Sequence, residues 1–81
     1  MSSIFFKIFE KYIYMESFGE RLKSLRELKG VGQIQLAQAI GVSKGIISLW
    51  ENNLREPKLS NIIAIIKYFN EPADYVLGLV D

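Results

Sequence analysis

Residues 33–52 read QIQLAQAIGVSKGIISLWEN, in which two short stretches with helical spacing of apolar residues flank a glycine. Gly41 supplies the positive φ that an abrupt turn between two helices needs. Ser43 follows as a favourable N-cap for the second helix. Within that helix, Ile47 and Trp50 lie three residues apart and are expected to face inward. The pattern therefore predicts two helices joined by a tight turn.

The rest of the chain after residue 16 also consists of short helical patterns separated by glycine and proline, with no strand signal. Apolar residues at steps of three or four predict a first helix that begins at Phe18 and ends before Gly30. The residue before a proline avoids the helical region, so a loop is predicted at Pro57. Ser60 is a favourable cap for a fourth helix, and Pro72 opens a short fifth helix. The domain is therefore expected to be all-α, with helices over about 18–28, 33–40, 43–53, 60–69 and 72–78.

Residues 1–15 form an N-terminal extension whose composition differs from that of the domain expected over residues 16–81. Five of the ten aromatic residues lie in it, and its apolar side chains recur at helical spacing. An amphipathic helix fits this spacing best, although the aromatic and β-branched residues also suit a strand. The extension is too short and too charged to span a bilayer. Its apolar face either covers the chain's own core or lies in a homodimer interface, for which the candidates are Phe5, Ile8, Phe9 and Tyr12.

The composition excludes several classes of chemistry. Cysteine and histidine are absent from the 81 residues, which removes thiolate metal ligands, a cysteine nucleophile and the most common general base. We therefore expect no catalytic residue, no metal site and no cofactor, and we do not expect an enzyme. The N-terminal residues lack the features of a signal peptide, so a cytoplasmic location is expected.

The two helices around Gly41 match the helix-turn-helix arrangement, whose second helix fits the major groove of DNA. Residues 18–79 moreover resemble the DNA-binding domain of the Xre family, the bacterial and phage regulators similar to Cro and lambda repressor. The matching residues are Arg21-Leu22, Arg26, Gln33, Leu36-Ala37, Gly41-Val42-Ser43, Ile47-Ser48, Trp50-Glu51-Asn52, Arg55-Glu56-Pro57, Asp74-Tyr75 and Leu77-Gly78. The resemblance covers about three quarters of the chain. It implies a five-helix, lambda-repressor-like fold and a sequence-specific transcriptional regulator, a repressor that binds a two-fold operator as a dimer.

The same resemblance implies which residues contact double-stranded DNA. Four positions on the outward side of the second helix of the motif correspond to base contacts: Lys44, Gly45, Ser48 and Leu49. Four others correspond to phosphate contacts: Gln33, Asn52, Arg55 and Lys58. Arg26 and Glu51 match a structural ion pair between the first helix and the end of the third.

Several residues depart from the family pattern. Gly45 has no side chain for base readout, and Leu49 offers only apolar contact with a thymine methyl group. Gly32 stands where a Thr or Ser cap is usual, and Ile34 places an apolar side chain where an acidic one is usual. These residues leave an alternative function open, in which the helix-turn-helix fold serves as a protein-interaction or antitoxin-like module.

The distribution of charge favours DNA over that alternative. Residues 16–58 carry seven Lys or Arg and five acidic residues, whereas residues 59–81 carry one basic and three acidic residues. The half of the domain with the motif is therefore the positive half, which is where phosphates would lie.

Overall fold

The computed structural model describes residues 17–81, and within them the chain forms five α-helices and no strand. The helices are α1 (Phe18–Leu28), α2 (Gln33–Ile40), α3 (Lys44–Glu51), α4 (Leu59–Phe69) and α5 (Ala73–Val76). The prediction of an all-α domain with five helices is confirmed. The predicted N-terminal helix, with its candidate interface residues Phe5, Ile8, Phe9 and Tyr12, lies outside the described residues.

A single hydrophobic core holds the five helices together. α3 packs against α1 and α2, α4 packs against α2, and α5 packs against α1 and α4. The fully buried side chains come from all five helices and are Leu22, Leu25, Leu36, Ile47, Ile65 and Val76. Burial of each such side chain stabilises the fold by about 1.5–3 kcal/mol relative to exposure. Because α3 packs against two other helices, its orientation in the domain is fixed.

The turn between α2 and α3 follows the local sequence signals. Gly41 ends α2 in the left-handed region, with a φ of 78°. The next amide, that of Val42, donates to the Ala37 carbonyl at 2.9 Å. The Oγ atom of Ser43 then accepts a hydrogen bond of 3.2 Å from the Ile46 amide and caps α3. The predicted turn and cap are both confirmed.

Two predicted helix boundaries are wrong. α3 ends at Glu51 and not at Asn53, because Asn53 has a φ of 59°, which a right-handed helix does not contain. Ser60 is not the cap of α4, since the helix begins at Leu59 and its N-cap is Lys58, whose side chain makes no capping hydrogen bond. The first turn of α4 is exposed, so water can satisfy its free amides and the helix can begin without a side-chain cap.

Arg21 fixes α5 to α1. Its Nη1 donates to the Tyr75 carbonyl at 2.7 Å, and its guanidinium carbon lies 4.4 Å from the centre of the Tyr75 ring. Both contacts compensate for the burial of this arginine, which is 6% exposed. α5 has only four residues, and it depends on this contact and on the buried Val76 for its position.

Candidate nucleic-acid interface

The surface of α3 divides into a buried and an exposed side. Ile47 and Trp50 are buried in the core, as predicted from their spacing. The four candidates for base contact lie on the other side of the helix: Lys44 and Gly45 are exposed, and Ser48 and Leu49 are half-buried. α3 therefore presents one face of mixed chemistry to solvent while the core holds the opposite face.

Lys44 is the first residue of α3 and carries the only charge on this face. Its ammonium group makes no ion pair with another residue in the described range, where the bridges involve Arg26 and Lys29. Three N–H donors of the ammonium group are thus available to an external acceptor. The O6 and N7 atoms of guanine in the major groove are acceptors of this kind.

Gly45 occupies an open site. A Cβ atom at this position would meet only the Ser43 Oγ, at 3.8 Å, which is ordinary van der Waals contact. Neither its backbone conformation nor a close neighbour requires glycine, although glycine inside a helix costs about 0.5–1 kcal/mol relative to alanine. The absence of a side chain leaves the helix backbone accessible to a partner that approaches closely.

Two of the phosphate-contact candidates use their side-chain amides inside the domain. Gln33 Nε2 donates to Glu51 Oε1 at 2.9 Å, and Asn52 Nδ2 donates to the Ser48 carbonyl at 2.8 Å. A carboxamide nitrogen carries two N–H groups, so the Gln33 side chain retains a donor beyond this hydrogen bond. The structure places Gln33 at the beginning of α2 and beside the end of α3, where both helices meet.

The other two phosphate-contact candidates lie on the connection between α3 and α4. Arg55 and Lys58 are exposed, and neither forms an ion pair with a residue in the part of the chain that the structure describes. The two cations are thus open to solvent on a loop that begins directly after α3. The side-chain hydrogen bond of Gln33 in the described residues goes to Glu51 and not to either of them.

Arg26 and Glu51 join α1 to the end of α3 through two parallel hydrogen bonds. Arg26 Nε donates to Glu51 Oε2 at 2.7 Å, and Arg26 Nη2 donates to Glu51 Oε1 at 3.1 Å. The third guanidinium nitrogen, Nη1, donates to the Val31 carbonyl at 2.9 Å. With the bond from Gln33, the carboxylate accepts three hydrogen bonds from two helices. The network thus fixes the relative positions of α1, α2 and α3.

The two charges of this network are largely buried. The side chains of Arg26 and Glu51 are 10% and 2% exposed. The hydrogen bond to Glu51 raises the pKa of Arg26 above its ordinary value, and the negative charge of Glu51 acts in the same direction, while burial opposes both. The ion pair therefore favours the charged form of the guanidinium group in the folded protein.

Gly19 is a residue of this region that the sequence analysis missed. A Cβ atom there would lie 2.5 Å from Asn53 Oδ1 and 2.9 Å from the Glu51 carbonyl oxygen, and it would also collide with the Trp50 carbonyl oxygen. Only glycine lets the first turn of α1 approach the end of α3 this closely. A glycine in the first turn of an otherwise amphipathic helix is the one signal that could have indicated the contact.

The described residues were also compared with the requirements for a metal cluster and for a membrane-spanning helix. Residues 17–81 contain no group of three or more Asp, Glu, His or Cys side chains that could hold a metal ion. In the same range, no helix is both long enough and apolar enough to cross a membrane.

Comparison with known proteins agrees with this geometry. The helix-turn-helix family model matches residues 22–76. The HTH-type transcriptional regulator YobD of Bacillus subtilis, itself described as uncharacterized, is 31% identical over 62 residues, which are 76% of this chain and 55% of the relative. The chain thus spans about half the length of that relative.

Two solved structures share the fold. The P22 c2 repressor in complex with a synthetic operator has a TM-score of 0.71 and 34% identity, over 76% of this chain and 94% of that chain. The restriction-modification controller protein C.AhdI from Aeromonas hydrophila has a TM-score of 0.69 and 29% identity, over 73% of this chain and 89% of that chain. These likenesses confirm the predicted lambda-repressor-like arrangement of the helices. Since the family match, the fold and the turn at Gly41 agree, the chain belongs to the helix-turn-helix family, of the Xre type.

Proposed function

We propose that the protein is a sequence-specific DNA-binding transcriptional regulator, a repressor of bacterial or phage origin that binds a two-fold operator as a homodimer. The observation that carries the proposal is the face of α3 that carries Lys44, because the Arg26–Glu51 network holds this helix while leaving that face open. The P22 c2 repressor, whose solved chain matches this one over 94% of its length, is bound to a synthetic operator, and this supports the same use of α3 here.

In this proposal α3 lies in the major groove and reads bases by few contacts. Lys44 donates to the O6 and N7 atoms of a guanine, and Ser48 donates to or accepts from a base edge. Leu49 contacts a thymine methyl group, and Gly45 lets the backbone of α3 approach the bases. Base readout by these four residues is sparse, so we expect the affinity to depend largely on phosphate contacts.

The phosphate contacts lie at both ends of the α2–α3 unit. Gln33 binds a phosphate with its remaining amide hydrogen, assisted by the amides at the beginning of α2, which no side chain caps. Asn52, Arg55 and Lys58 bind a second phosphate group after the end of α3. Contacts of this kind position the protein on the duplex and make binding sensitive to salt.

We further propose that the chain acts as a homodimer, because a two-fold operator requires two recognition helices. Residues 16–81 form the DNA-binding domain, and the extension over residues 1–15 contributes Phe5, Ile8, Phe9 and Tyr12 to the dimer interface. The protein works in the cytoplasm, where its DNA lies, and it regulates transcription by occupying DNA and not by catalysis.

A fluorescence-anisotropy titration tests the proposal. Random duplex DNA and DNA selected from a random pool are titrated at two salt concentrations. Selected DNA is expected to bind about 1,000-fold more tightly or better, with an affinity that falls steeply as salt rises. Equal affinities for selected and random DNA, or no binding to either at low salt, would contradict the proposal.

One observation favours a second candidate, a protein-interaction module. Ile34 on α2 is an apolar side chain that is 58% exposed, and it lies near the beginning of the helix-turn-helix unit. A partner protein would cover such a side chain more readily than a phosphate backbone would. The same titration separates the two candidates, since an interaction module without DNA affinity gives no signal with either DNA.

A further inference from the structure

One carboxylate links the buried ion pair to the beginning of α2. Glu51 Oε1 accepts a hydrogen bond of 2.9 Å from Gln33 Nε2, and both oxygens of the same carboxylate accept from Arg26. Arg26 also donates to the carbonyl of Val31, two residues before Gln33. The ion pair therefore holds the end of α3 and the chain that leads into α2, and the Gln33 side chain is bound to the same group.

The chemistry of Glu51 determines which way the Gln33 carboxamide points. An ionised carboxylate only accepts hydrogen bonds, so it binds the NH2 end of a carboxamide and repels the oxygen end. The Glu51 side chain is 2% exposed and lies 2.7 Å from Arg26 Nε, so this acceptor has one position. The Nε2 atom of Gln33 thus faces Glu51, and one of its two N–H groups remains for another acceptor.

Gln33 differs in this respect from the two other glutamines of α2. Gln35 and Gln38 are exposed, and within residues 17–81 no hydrogen bond holds either carboxamide. A glutamine side chain that moves freely loses rotational freedom when it binds a phosphate. Gln33 has already lost that freedom in the folded domain, so its contact with a phosphate costs less entropy.

We infer that Glu51 is a positioning residue for the DNA contact of Gln33, an inference that rests on the proposed function of the domain. The carboxylate selects the orientation of the Gln33 carboxamide before DNA binds, and Arg26 holds the carboxylate in place. The N–H group that Glu51 leaves free then donates to a phosphate oxygen. Glu51 thereby increases the contribution of Gln33 to the affinity, although Glu51 itself is buried and touches no DNA.

Nuclear magnetic resonance of the free protein tests the orientation of Gln33 without DNA. Relaxation of the side-chain NH2 groups gives an order parameter for each of the three glutamines of the chain. We expect a value near about 0.85 for Gln33 and values below about 0.6 for Gln35 and Gln38. In Glu51→Gln the new carboxamide can donate as well as accept, so Gln33 can turn over and its order parameter should fall towards that of Gln35.

A double-mutant cycle on DNA binding tests whether Glu51 acts through Gln33. Gln33→Ala should weaken binding to selected and random DNA alike by at least about 10-fold, the effect of one hydrogen bond to a charged group. In the Glu51→Gln background the same change should cost about 3-fold or less, because the contact is no longer prepared.

Two control variants show whether this coupling is specific to Gln33. Gln35→Ala removes an exposed carboxamide of the same helix and should leave the affinity unchanged. Lys44→Ala removes the proposed base contact at the beginning of α3 and should cost the same with Glu51 or Gln at position 51. A general displacement of α3 in Glu51→Gln would instead reduce the cost of Lys44→Ala as well, and that result would overturn a role specific to Gln33.

Mobility of the Gln33 side chain would overturn the inference, that is, an order parameter of its NH2 group as low as that of Gln35 in the unmodified protein. Equal costs of Gln33→Ala in both backgrounds would overturn it as well. If Glu51→Gln does not fold, Gln33→Asn takes its place, because the shorter side chain keeps the carboxamide but no longer spans the distance to Glu51. Gln33→Asn should bind DNA as weakly as Gln33→Ala, and binding as tight as that of the unmodified protein would contradict the positioning role.

Two results separate a failure of this inference from a failure of the proposed function. An ordered Gln33 in a protein that binds no DNA would contradict the proposed function, and the phosphate contact with it. Sequence-specific binding without coupling between Gln33 and Glu51 would leave the proposed function intact and overturn only the positioning role of Glu51.

Discussion

The ion pair between Arg26 and Glu51 allows a quantitative test of how α3 is held. The proposed changes are Arg26→Met and Glu51→Gln, alone and together. The Glu51 side chain is 2% exposed and that of Arg26 is 10% exposed, so either single change leaves a buried polar or charged group without its partner. Loss of one partner of a buried pair costs about 3–5 kcal/mol. Glu51→Gln retains a carbonyl acceptor and should lie near the lower value, whereas Arg26→Met leaves a buried carboxylate and should lie near the higher one.

The expected shift in melting temperature is large. In a domain of this size each kcal/mol changes Tm by about 4–8 °C, so a loss of about 3 kcal/mol lowers Tm by at least about 12 °C. Thermal melting and urea unfolding, both followed by circular dichroism, measure the loss. The double variant should lose less stability than the two single variants together. It contains neither the guanidinium group nor the carboxylate, so no buried charge is left without its partner.

A second ion pair in the same domain provides the control. Lys29 Nζ lies 3.1 Å from Glu71 Oε1, but these side chains are 42% and 28% exposed. An exposed pair contributes at most about 1 kcal/mol, so Glu71→Gln should change the free energy of unfolding little. Additive losses for Arg26→Met and Glu51→Gln, or losses as small as that of Glu71→Gln, would refute the assignment of the buried bridge as the contact that holds α3.

Three further predictions concern DNA binding, the two helical glycines and pH. Lys44→Ala should weaken binding to selected DNA by about 1–3 kcal/mol and relax the preference at one base position of each half-site. Arg55→Ala should instead weaken binding to selected and random DNA alike. It should also reduce the slope of log K against log salt concentration by about 0.9. Anisotropy titrations with single-base variants measure both effects, and an equal loss on both DNAs for Lys44→Ala would contradict its assignment. Gly45→Ala should stabilise the fold by about 0.5–1 kcal/mol because its Cβ site is open. Gly19→Ala should destabilise the fold because the new Cβ would collide with the end of α3. Urea unfolding gives both free energies, and a Gly19→Ala variant more stable than Gly45→Ala would count against this packing. Because the pKa of Arg26 is raised in the folded state, its contribution to stability is complete at every pH below its ordinary pKa and is lost only when the pH rises through the higher folded value. The difference in Tm between the unmodified protein and Arg26→Met should therefore stay constant between about pH 7 and about pH 10. A steady decrease over that range would show that Arg26 loses its proton below its ordinary pKa, contrary to a guanidinium group held charged by Glu51.

The helices and the turn of the motif were predictable because their signals are local. Gly41 and Ser43 determine the turn and the cap through their own backbone and side chain, and the structure shows both. Ser60 was misleading for the same reason. A serine near the beginning of a helix is compatible with a cap, but the α4 sequence also allows an earlier start at Leu59, where no side-chain cap is made. Local propensity does not distinguish these starts when the first turn is exposed.

The contacts at the end of α3 were less predictable, because they join residues that are distant in the sequence. Gly19 has the same local appearance as Gly45, a glycine within a short helix, yet one lies against the backbone of α3 and the other faces open space. Only the packing of α1 on α3 distinguishes them. The resemblance to Xre regulators suggested the pairing of Arg26 with Glu51, but it did not indicate that Gln33 would join the same carboxylate.

The position of Gln33 connects the stability of the domain with its proposed function. One amide hydrogen of Gln33 is held by Glu51, the residue that also accepts two hydrogen bonds from Arg26. Because the carboxylate is buried and held by Arg26, it fixes the orientation of the Gln33 carboxamide before any phosphate arrives. The remaining N–H can then bind a phosphate without a further loss of side-chain freedom, which is the advantage of a preorganised contact. In the proposed function, the buried network therefore serves both the packing of α1, α2 and α3 and the positioning of a DNA contact, so that Glu51 influences binding without touching DNA.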